Sequence, residues 1–344
     1  MPLIHDGGFI KLVLSIRNMR INDRVYGTIE PTDAVIIDLV NSPVLQRLKG
    51  IDQAGYAKPY FPGAEHTRFE HSLGVYEILR RYNAPLEEQV AGLIHDVSHT
   101  AFSHCIDYVL AEKAEEEAHQ DKTFAAFVKS SAMPSILRNH NINIKYILND
   151  KNFPLKETNL PDICADRIDY SLRTARVHNE ITQRGVKNLL SHLQVHDRMW
   201  VFQGAPSARG YAELFKKMND KYYAGFPSAV MFRTVGDYLR YALQQGYIDK
   251  RDLYATDREV LERIEQHQGT DSALKMLWQR MNMKAQPAAR KSEADARVKC
   301  KSRVVDPLCW NKGAICRLSD AEPDWKLIVQ QEMRPKEHFI KFNR

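Results

Sequence analysis

The chain has 344 residues, of which 44% are apolar, so it can bury a sizeable core and global disorder is excluded. No apolar run reaches the roughly 18–20 residues of a membrane span, and His5 and Asp6 precede a short apolar patch that does not resemble a signal peptide. Five scattered cysteines without a C-x-x-C pair indicate a reducing, cytoplasmic location. A net charge of +6 fits an anionic ligand such as a phosphate ester.

The spacing of apolar residues along the chain predicts a mainly α fold. Residues 20–33 alternate around Tyr26-Gly27 and predict a small β-hairpin, and helical spacing follows with a break at Ser42-Pro43. Further helical segments are predicted over residues 68–82, 86–100, 162–178, 212–248 and 258–281, and a second hairpin over residues 195–202. The helix over residues 162–178 is expected to have Asp162 as its N-cap.

The character of the sequence changes at Met283. Residues 283–303 are basic, rich in small residues and poorly periodic, which predicts a basic linker or mobile loop. This segment is also a candidate for a weak nucleic-acid contact. Residues 304–344 contain short strand-like runs with Pro and Asp turns, and predict a small, β-rich C-terminal part of α+β character.

Residues 65–104 hold five of the thirteen histidines, and an apolar run there contains the dipeptide His95-Asp96. Burying such polar groups is costly unless something compensates them, and a divalent metal is the simplest compensation. His99 follows His95 by four residues, so both are expected on one face of a helix. His71 is expected on a neighbouring helix. A fourth ligand would come from Asp166 or Asp169, which are three residues apart.

These motifs resemble those of the HD-domain phosphohydrolases, in particular the deoxynucleotide triphosphohydrolase group that includes bacterial dGTPases and the mammalian sterile-alpha-motif HD-domain enzyme. The resemblance rests on F-P-G-A-x-H-x-R-F-E-H-S-L-G-V, L-I-H-D-V-S-H-T-A-F-S-H and D-R-I-D-Y, and extends over residues 21–170. It implies an HD-domain helical core with small β-hairpins. The corresponding domain would cover residues 1–282, with its metal core over about residues 45–180.

The resemblance also implies roles for individual residues. Asp166 is preferred to Asp169 as the fourth ligand, because the family ligand is the first Asp of D-x-x-D-Y. The implied metal ligands are His71, His95, Asp96 and Asp166. Arg68 would contact phosphate, and three histidines would contact phosphate or protonate the leaving oxygen: His99, His104 and His119. Gln53 and Tyr170 would lie on the sugar side. The metal would be Mg, Mn, Fe, Co, Ni or Zn.

The implied activity is metal-dependent hydrolysis of nucleotides, most simply of a (d)NTP to nucleoside and triphosphate. The resemblance also implies a homo-oligomer. Ala54 after Gln53 and Thr174 after Arg173 depart from the family pattern at positions that bear on sugar recognition.

Three alternatives remain open from the sequence. The first is a nucleotidase or phosphomonoesterase of the same superfamily. The second is a nucleotide-sensing or nucleic-acid-binding module without turnover. The third is an oxygenase on a similar helical scaffold, with His66, His99 and Glu70 as candidate ligands of a second iron.

Overall fold

The structure is a computed structural model that describes residues 19–63, 65–110, 119–284 and 286–342, without the side chains of residues 110 and 119–122. Its helices are α1 Ala34–Asn41, α2 Pro43–Arg47, α3 Arg68–Arg81, α4 Leu86–Ile94, α5 Asp107–Leu110, α6 His119–Ser130, α7 Met133–Asn139, α8 Ile144–Ile147, α9 Ala165–Val177, α10 Gln183–Ser191, α11 Ala205–Met218, α12 Phe226–Gln244, α13 Asp257–Glu265, α14 Ser272–Met281, α15 Leu318–Ala321 and α16 Pro323–Glu332. Its strands are β1 Ile21–Asp23, β2 Gly27–Ile29, β3 Leu193–His196, β4 Met199–Phe202, β5 Pro287–Ala289, β6 Ala296–Cys300, β7 Leu308–Asn311, β8 Ala314–Arg317 and β9 Lys336–Phe342. The mainly α prediction is therefore confirmed, as are the hairpins β1–β2 and β3–β4.

Helix α3 lies at the centre of the fold. A capping box begins it, since the Thr67 hydroxyl accepts from the Glu70 backbone N–H and the Glu70 carboxylate accepts from the Thr67 backbone N–H. Eleven of its fourteen residues are buried, which is the pattern of a helix with neighbours on several sides. It packs against α4 and α9. The predicted metal ligands lie on or beside these three helices.

The strands form three small sheets, ordered β1-β2, β3-β4-β7-β8 and β5-β9-β6. Strand β7 runs parallel to β4, with Val201 opposite Leu308 and Phe202 opposite Cys309. The C-terminal strands thus complete a sheet that the second hairpin begins. Among the described residues, no helix is long and apolar enough to cross a membrane.

Residues 283–303 differ from the expected linker or mobile loop, because they contain β5 and β6. Strand β6 pairs along its whole length with β9. Its alternate residues Ala296, Val298 and Cys300 are buried, whereas Arg297 and Lys299 are exposed. Two of the basic residues that made this segment resemble a linker, Arg297 and Lys299, form the solvent face of this strand. The division of the chain into domains at residues 282 and 303 stays a prediction.

Two helix boundaries differ from the predicted ones. Helix α4 ends at Ile94, and tighter i to i−3 turns follow, so His95 and His99 do not share a helical face. Helix α9 begins at Ala165 with Cys164 as its N-cap. Asp162 does not cap it, because its carboxylate pairs with Arg317.

Candidate metal centre

Four side chains converge between α3, α4 and α9. His71 comes from α3, His95 and Asp96 follow the last turn of α4, and Asp166 lies in the first turn of α9. His71 Nε2 lies 3.2 Å from His95 Nε2 and 2.9 Å from Asp166 Oδ1. His95 Nε2 lies 3.3 Å from Asp96 Oδ1 and 3.4 Å from Asp166 Oδ1. Ligands held about 2.0–2.2 Å from one metal are about 3.0–3.5 Å apart, so these spacings fit a single divalent ion.

The outer nitrogens of both histidines have partners that fix the ring tautomers. His71 Nδ1 lies 2.7 Å from the Asp169 carboxylate, and His95 Nδ1 lies 2.7 Å from the Gly92 carbonyl oxygen. Each acceptor takes the Nδ1 proton, so the lone pair on each Nε2 faces the centre of the cluster. Neutral imidazole nitrogens oriented in this way are metal ligands.

The charges of the cluster favour a cation at its centre. Burial opposes protonation of His71, but its hydrogen bonds to Asp166 and Asp169 raise its pKa to about 9. Without a metal, a proton on His71 Nε2 therefore faces Asp166, and a metal ion would displace that proton to bind the neutral imidazole. Burial would raise the pKa of Asp166, yet the hydrogen bonds from His71 and His95 hold that pKa well below its usual range. The carboxylates therefore remain ionised and attract positive charge between the ligands.

A chain of buried ion pairs supports His71 from behind. The Arg173 guanidinium donates to both carboxylate oxygens of Asp169 at 3.0 Å, and to Asp23 at 2.8 Å. Arg173 and Asp169 are fully buried, and the Asp23 side chain nearly so. The chain Asp23–Arg173–Asp169–His71 thus links strand β1 to the metal ligands. In the sequence Asp169 is only a rival ligand and Asp23 has no predicted role; the i to i+4 spacing of Asp169 and Arg173 is the signal that could have revealed their pairing.

Gly74, one turn after His71 on α3, makes room for this chain. A Cβ at position 74 would overlap the Asp169 carboxylate and the Arg173 guanidinium. Glycine is therefore required here by close approach of side chains across the interface of α3 and α9.

Arg68 contacts the outer face of the cluster. Its Nη1 donates to Asp96 Oδ2 at 2.6 Å, its Nε to the Ser103 hydroxyl at 2.9 Å, and its Nη2 to the Gln53 carbonyl oxygen at 3.1 Å. Because a guanidinium carries five N–H groups, one on each terminal nitrogen is left for a ligand. Its predicted contact with phosphate stays a prediction, and this position beside a metal ligand is compatible with it.

Two of the three predicted catalytic histidines, His99 and His104, have different surroundings. His99 Nε2 lies 3.3 Å from Asp96 Oδ1 and its side chain is 6% exposed, whereas His104 is 41% exposed and its Nδ1 lies 3.6 Å from Asp107. The two rings lie edge to face, 5.5 Å apart. Desolvation and the charge of Arg68 lower the pKa of His99 to about 3, so it is neutral at physiological pH. Desolvation also lowers the pKa of His104.

The predicted sugar-side residues lie on two different elements. Gln53 precedes α3 in a loop, and its side-chain oxygen is buried without a hydrogen-bond partner within the described part of the chain. Such an acceptor is suited to a hydroxyl group of a ligand. Tyr170 is on α9, with its ring 5.4 Å from that of Tyr223. His119 begins α6, but its side chain lies outside the described residues.

A family model described as HD domain matches residues 68–174, which include all four predicted ligands. The uncharacterized protein YdhJ of Bacillus subtilis (strain 168) is 33% identical over 244 residues, which are 71% of this chain and 74% of that protein. The metal-dependent phosphohydrolase cns2 of Cordyceps militaris is 28% identical over 328 residues, 93% of each chain. The deoxynucleoside triphosphate triphosphohydrolase SAMHD1 of Bos taurus is 39% identical over 102 residues, 25% of this chain and 17% of that protein.

The fold also matches a crystal structure of a phosphohydrolase from Bacteroides thetaiotaomicron VPI-5482, with a TM-score of 0.73 and 19% identity over 95% of this chain and all of that one. The helical fold and the converging histidine and aspartate side chains form a candidate divalent-metal site, with ligand atoms of His71, His95 and Asp96 within 4.8 Å of one another at its core. The chain belongs to the HD-domain family. The expected family, fold and divalent metal are thus confirmed.

Proposed function

We propose that this protein hydrolyses nucleotides, and that its reaction releases nucleoside and triphosphate from a (deoxy)nucleoside triphosphate. The broader class, an HD-domain metal-dependent phosphohydrolase, follows from the family match, the similarity to cns2 and the ligand cluster. The observation that carries the proposal is the convergence of His71, His95, Asp96 and Asp166 beside the buried guanidinium of Arg68.

The residues around the cluster divide the chemistry between them. A bound divalent metal would supply Lewis-acid activation of phosphate and water. The two free N–H groups of Arg68 would neutralise negative charge that develops on the phosphoryl oxygens. His104 is the more accessible candidate for protonating the leaving oxygen, since His99 Nε2 is directed at Asp96. The unpaired acceptor of Gln53 would take a hydrogen bond from a sugar hydroxyl.

The product is tested directly. Purified protein is incubated with Mg²⁺ or Mn²⁺ and a panel of ribo- and deoxyribonucleoside mono-, di- and triphosphates, and products are separated by ion-exchange chromatography and phosphorus NMR. We expect nucleoside and intact triphosphate. Nucleotide binding without any product, with every metal tried, would contradict the proposal and favour a sensing module.

The second candidate is a nucleotide phosphomonoesterase, which would release orthophosphate from monophosphates. It is favoured by the limited extent of the triphosphohydrolase similarity: SAMHD1 matches over only 25% of this chain, whereas the relative that matches over 93%, cns2, is named only as a metal-dependent phosphohydrolase. Ala54 beside Gln53, and Thr174 after Arg173, also leave the sugar side unlike the triphosphohydrolase pattern. Release of orthophosphate alone would select this candidate. The expected homo-oligomer and cytoplasmic location stay predictions.

A further inference from the structure

A short segment lies between the loop that carries His104 and the turn beside Tyr170. It consists of residues 299–303, the last two residues of β6 and the three that follow, and is here named the crossing segment. At its start, the Tyr108 hydroxyl donates to the Lys299 carbonyl oxygen at 3.0 Å, and Tyr108 is four residues after His104. The crossing segment therefore begins beside the loop that carries His104. None of its residues belongs to the HD-domain match, which ends at residue 174.

The other end of the crossing segment is fixed by Asn219. This fully buried amide donates to the Ser302 hydroxyl at 3.0 Å and accepts from the Arg303 backbone N–H at 2.9 Å. Asn219 begins a π-helical turn, Asn219–Tyr223, a conformation that is rare and often occurs at functional sites. The same turn carries Tyr223, whose hydroxyl donates to the Tyr170 carbonyl oxygen at 3.3 Å. Arg303 is thus held between the loop of His104 and the pair of tyrosines.

The guanidinium of Arg303 has no carboxylate partner within 4 Å among the residues that the structure describes, although the residue is partly buried. A partly buried cation without a counter-ion is unfavourable unless an anion can reach it. Its charge acts on the tyrosine pair and on His104. Burial raises the pKa of Tyr170 and of Tyr223, and Arg303 opposes that rise at both residues. Desolvation lowers the pKa of His104, the hydrogen bond with Asp107 opposes this, and the charges of Arg68 and Arg303 add to the lowering.

We propose that Arg303 binds a phosphate group of the substrate other than the one held at the metal ligands. A planar guanidinium recognises phosphate through two parallel hydrogen bonds, and it is the matching counter-ion for a polyphosphate chain. Arg68 is held at the metal ligands by Asp96, so it serves the phosphate that reacts. Arg303 approaches from the crossing segment, on the side of His104 and Tyr170. The inference rests on the proposed function in that the substrate is a phosphate ester, and it further specifies two or more linked phosphates.

Steady-state kinetics of substituted proteins test this role. Arg303→Ala should raise the KM for nucleoside triphosphates by roughly 10-fold or more, the effect of losing about one charge-assisted hydrogen bond. The KM for monophosphates should change by less, and Arg303→Lys should recover part of the loss. Arg297→Ala is the matched control, because Arg297 lies on the exposed face of β6 and pairs with Glu337. A wild-type KM for all nucleotides in Arg303→Ala would show that Arg303 binds no substrate phosphate.

Direct binding separates this inference from the proposed function. Inorganic tripolyphosphate is titrated into the intact protein by calorimetry, which needs no turnover. Weaker binding by roughly 10-fold in Arg303→Ala, but not in Arg297→Ala, supports the site even if the wild-type protein hydrolyses no nucleotide. Equal binding by wild type and Arg303→Ala overturns the site even if nucleotides are hydrolysed. Asn219→Ala, which releases the crossing segment, should weaken tripolyphosphate binding in the same direction and by less.

Discussion

Asp166 lies between two clusters of side chains that could each ligate a metal. One contains His71, His95 and Asp96; the other contains Glu157 and Cys164, whose ligand atoms lie within 4.8 Å of an Asp166 oxygen. In the second cluster the Arg167 guanidinium already contacts both partners, with Nη1 2.9 Å from Cys164 Sγ and Nη2 3.2 Å from Glu157 Oε1.

The two clusters differ in where the protein places its own cation. Arg167 lies among the ligand atoms of the second cluster and neutralises them. Arg68 contacts only the outer oxygen of Asp96 and leaves the inner oxygen directed at His95. Ligand type and proximity are therefore insufficient to identify a metal site. The position of the nearest guanidinium decides whether a divalent ion is attracted or repelled.

The substitution with the largest expected effect distinguishes between the two clusters as the metal site. Asp96→Ala should abolish metal binding and activity, and it should also cost about 3–5 kcal/mol of stability because Arg68 is left buried without its counter-ion. Metal content per chain by mass spectrometry and the urea unfolding midpoint measure these two losses. Glu157→Gln is the control in the second cluster and should keep the full metal content. The reverse pattern would assign the metal to the second cluster.

A smaller loss of metal affinity is expected when the residue that supports His71 is changed. Asp169→Asn replaces the charged acceptor that orients His71 by a neutral, weaker one, and such supporting partners contribute about 10- to 100-fold to metal affinity. A competitive titration with a chromophoric chelator measures the change. The protein should remain folded, because Arg173 keeps its ion pair with Asp23. Unchanged affinity would mean that His71 is not a ligand or does not depend on Asp169.

A matched pair of glycine substitutions tests the fit of α3 against α9. Gly74→Ala should destabilise the protein by about 1–3 kcal/mol, because the new methyl group overlaps Asp169 and Arg173. Gly210→Ala, on α11, has its nearest neighbour atom at 4.0 Å and should stabilise the helix by up to about 1 kcal/mol. Thermal unfolding of both proteins would contradict this reasoning if the two midpoints moved in the same direction.

The smallest expected effect concerns the thiol of the second cluster. Cys164→Ala should leave the metal content unchanged and cost about 1 kcal/mol, as expected for shortening a buried side chain. Metal analysis and thermal unfolding on the same sample test both parts. A drop in metal content would mean that the second cluster takes part in metal binding after all.

Sequence alone predicted the fold class, and the four side chains predicted as ligands do lie together, because they belong to motifs with fixed local spacing. Their role as metal ligands stays a prediction. Prediction from sequence failed where local structure depends on tertiary contacts. His95 and His99 are four residues apart, yet the helix ends before His95, and the tight turn brings His95 Nε2 to 3.3 Å from Asp96 Oδ1. The role of Asp23 depends on a partner 150 residues away, Arg173, and no local pattern encodes that contact.

The prediction of a linker over residues 283–303 was wrong for a related reason. Arg297 and Lys299 alternate with buried residues along β6, but the strand has only five residues, so the alternation is too short to stand out in the sequence. Strand β6 pairs with β9, whose residues lie about forty positions further along the chain. The register of this pair is therefore set by the assembled core and not by the sequence of β6 alone.

The ion-pair chain behind His71 also ties the first described strand to the metal. Asp23 belongs to β1, so any ligand that stabilises His71 in its observed orientation is thermodynamically linked to docking of the hairpin β1–β2. Metal binding should then slow proteolytic cleavage within residues 19–30, and loss of that hairpin should lower metal affinity. The hairpin thus acts as a reporter: its protection from protease measures how fully the centre is assembled.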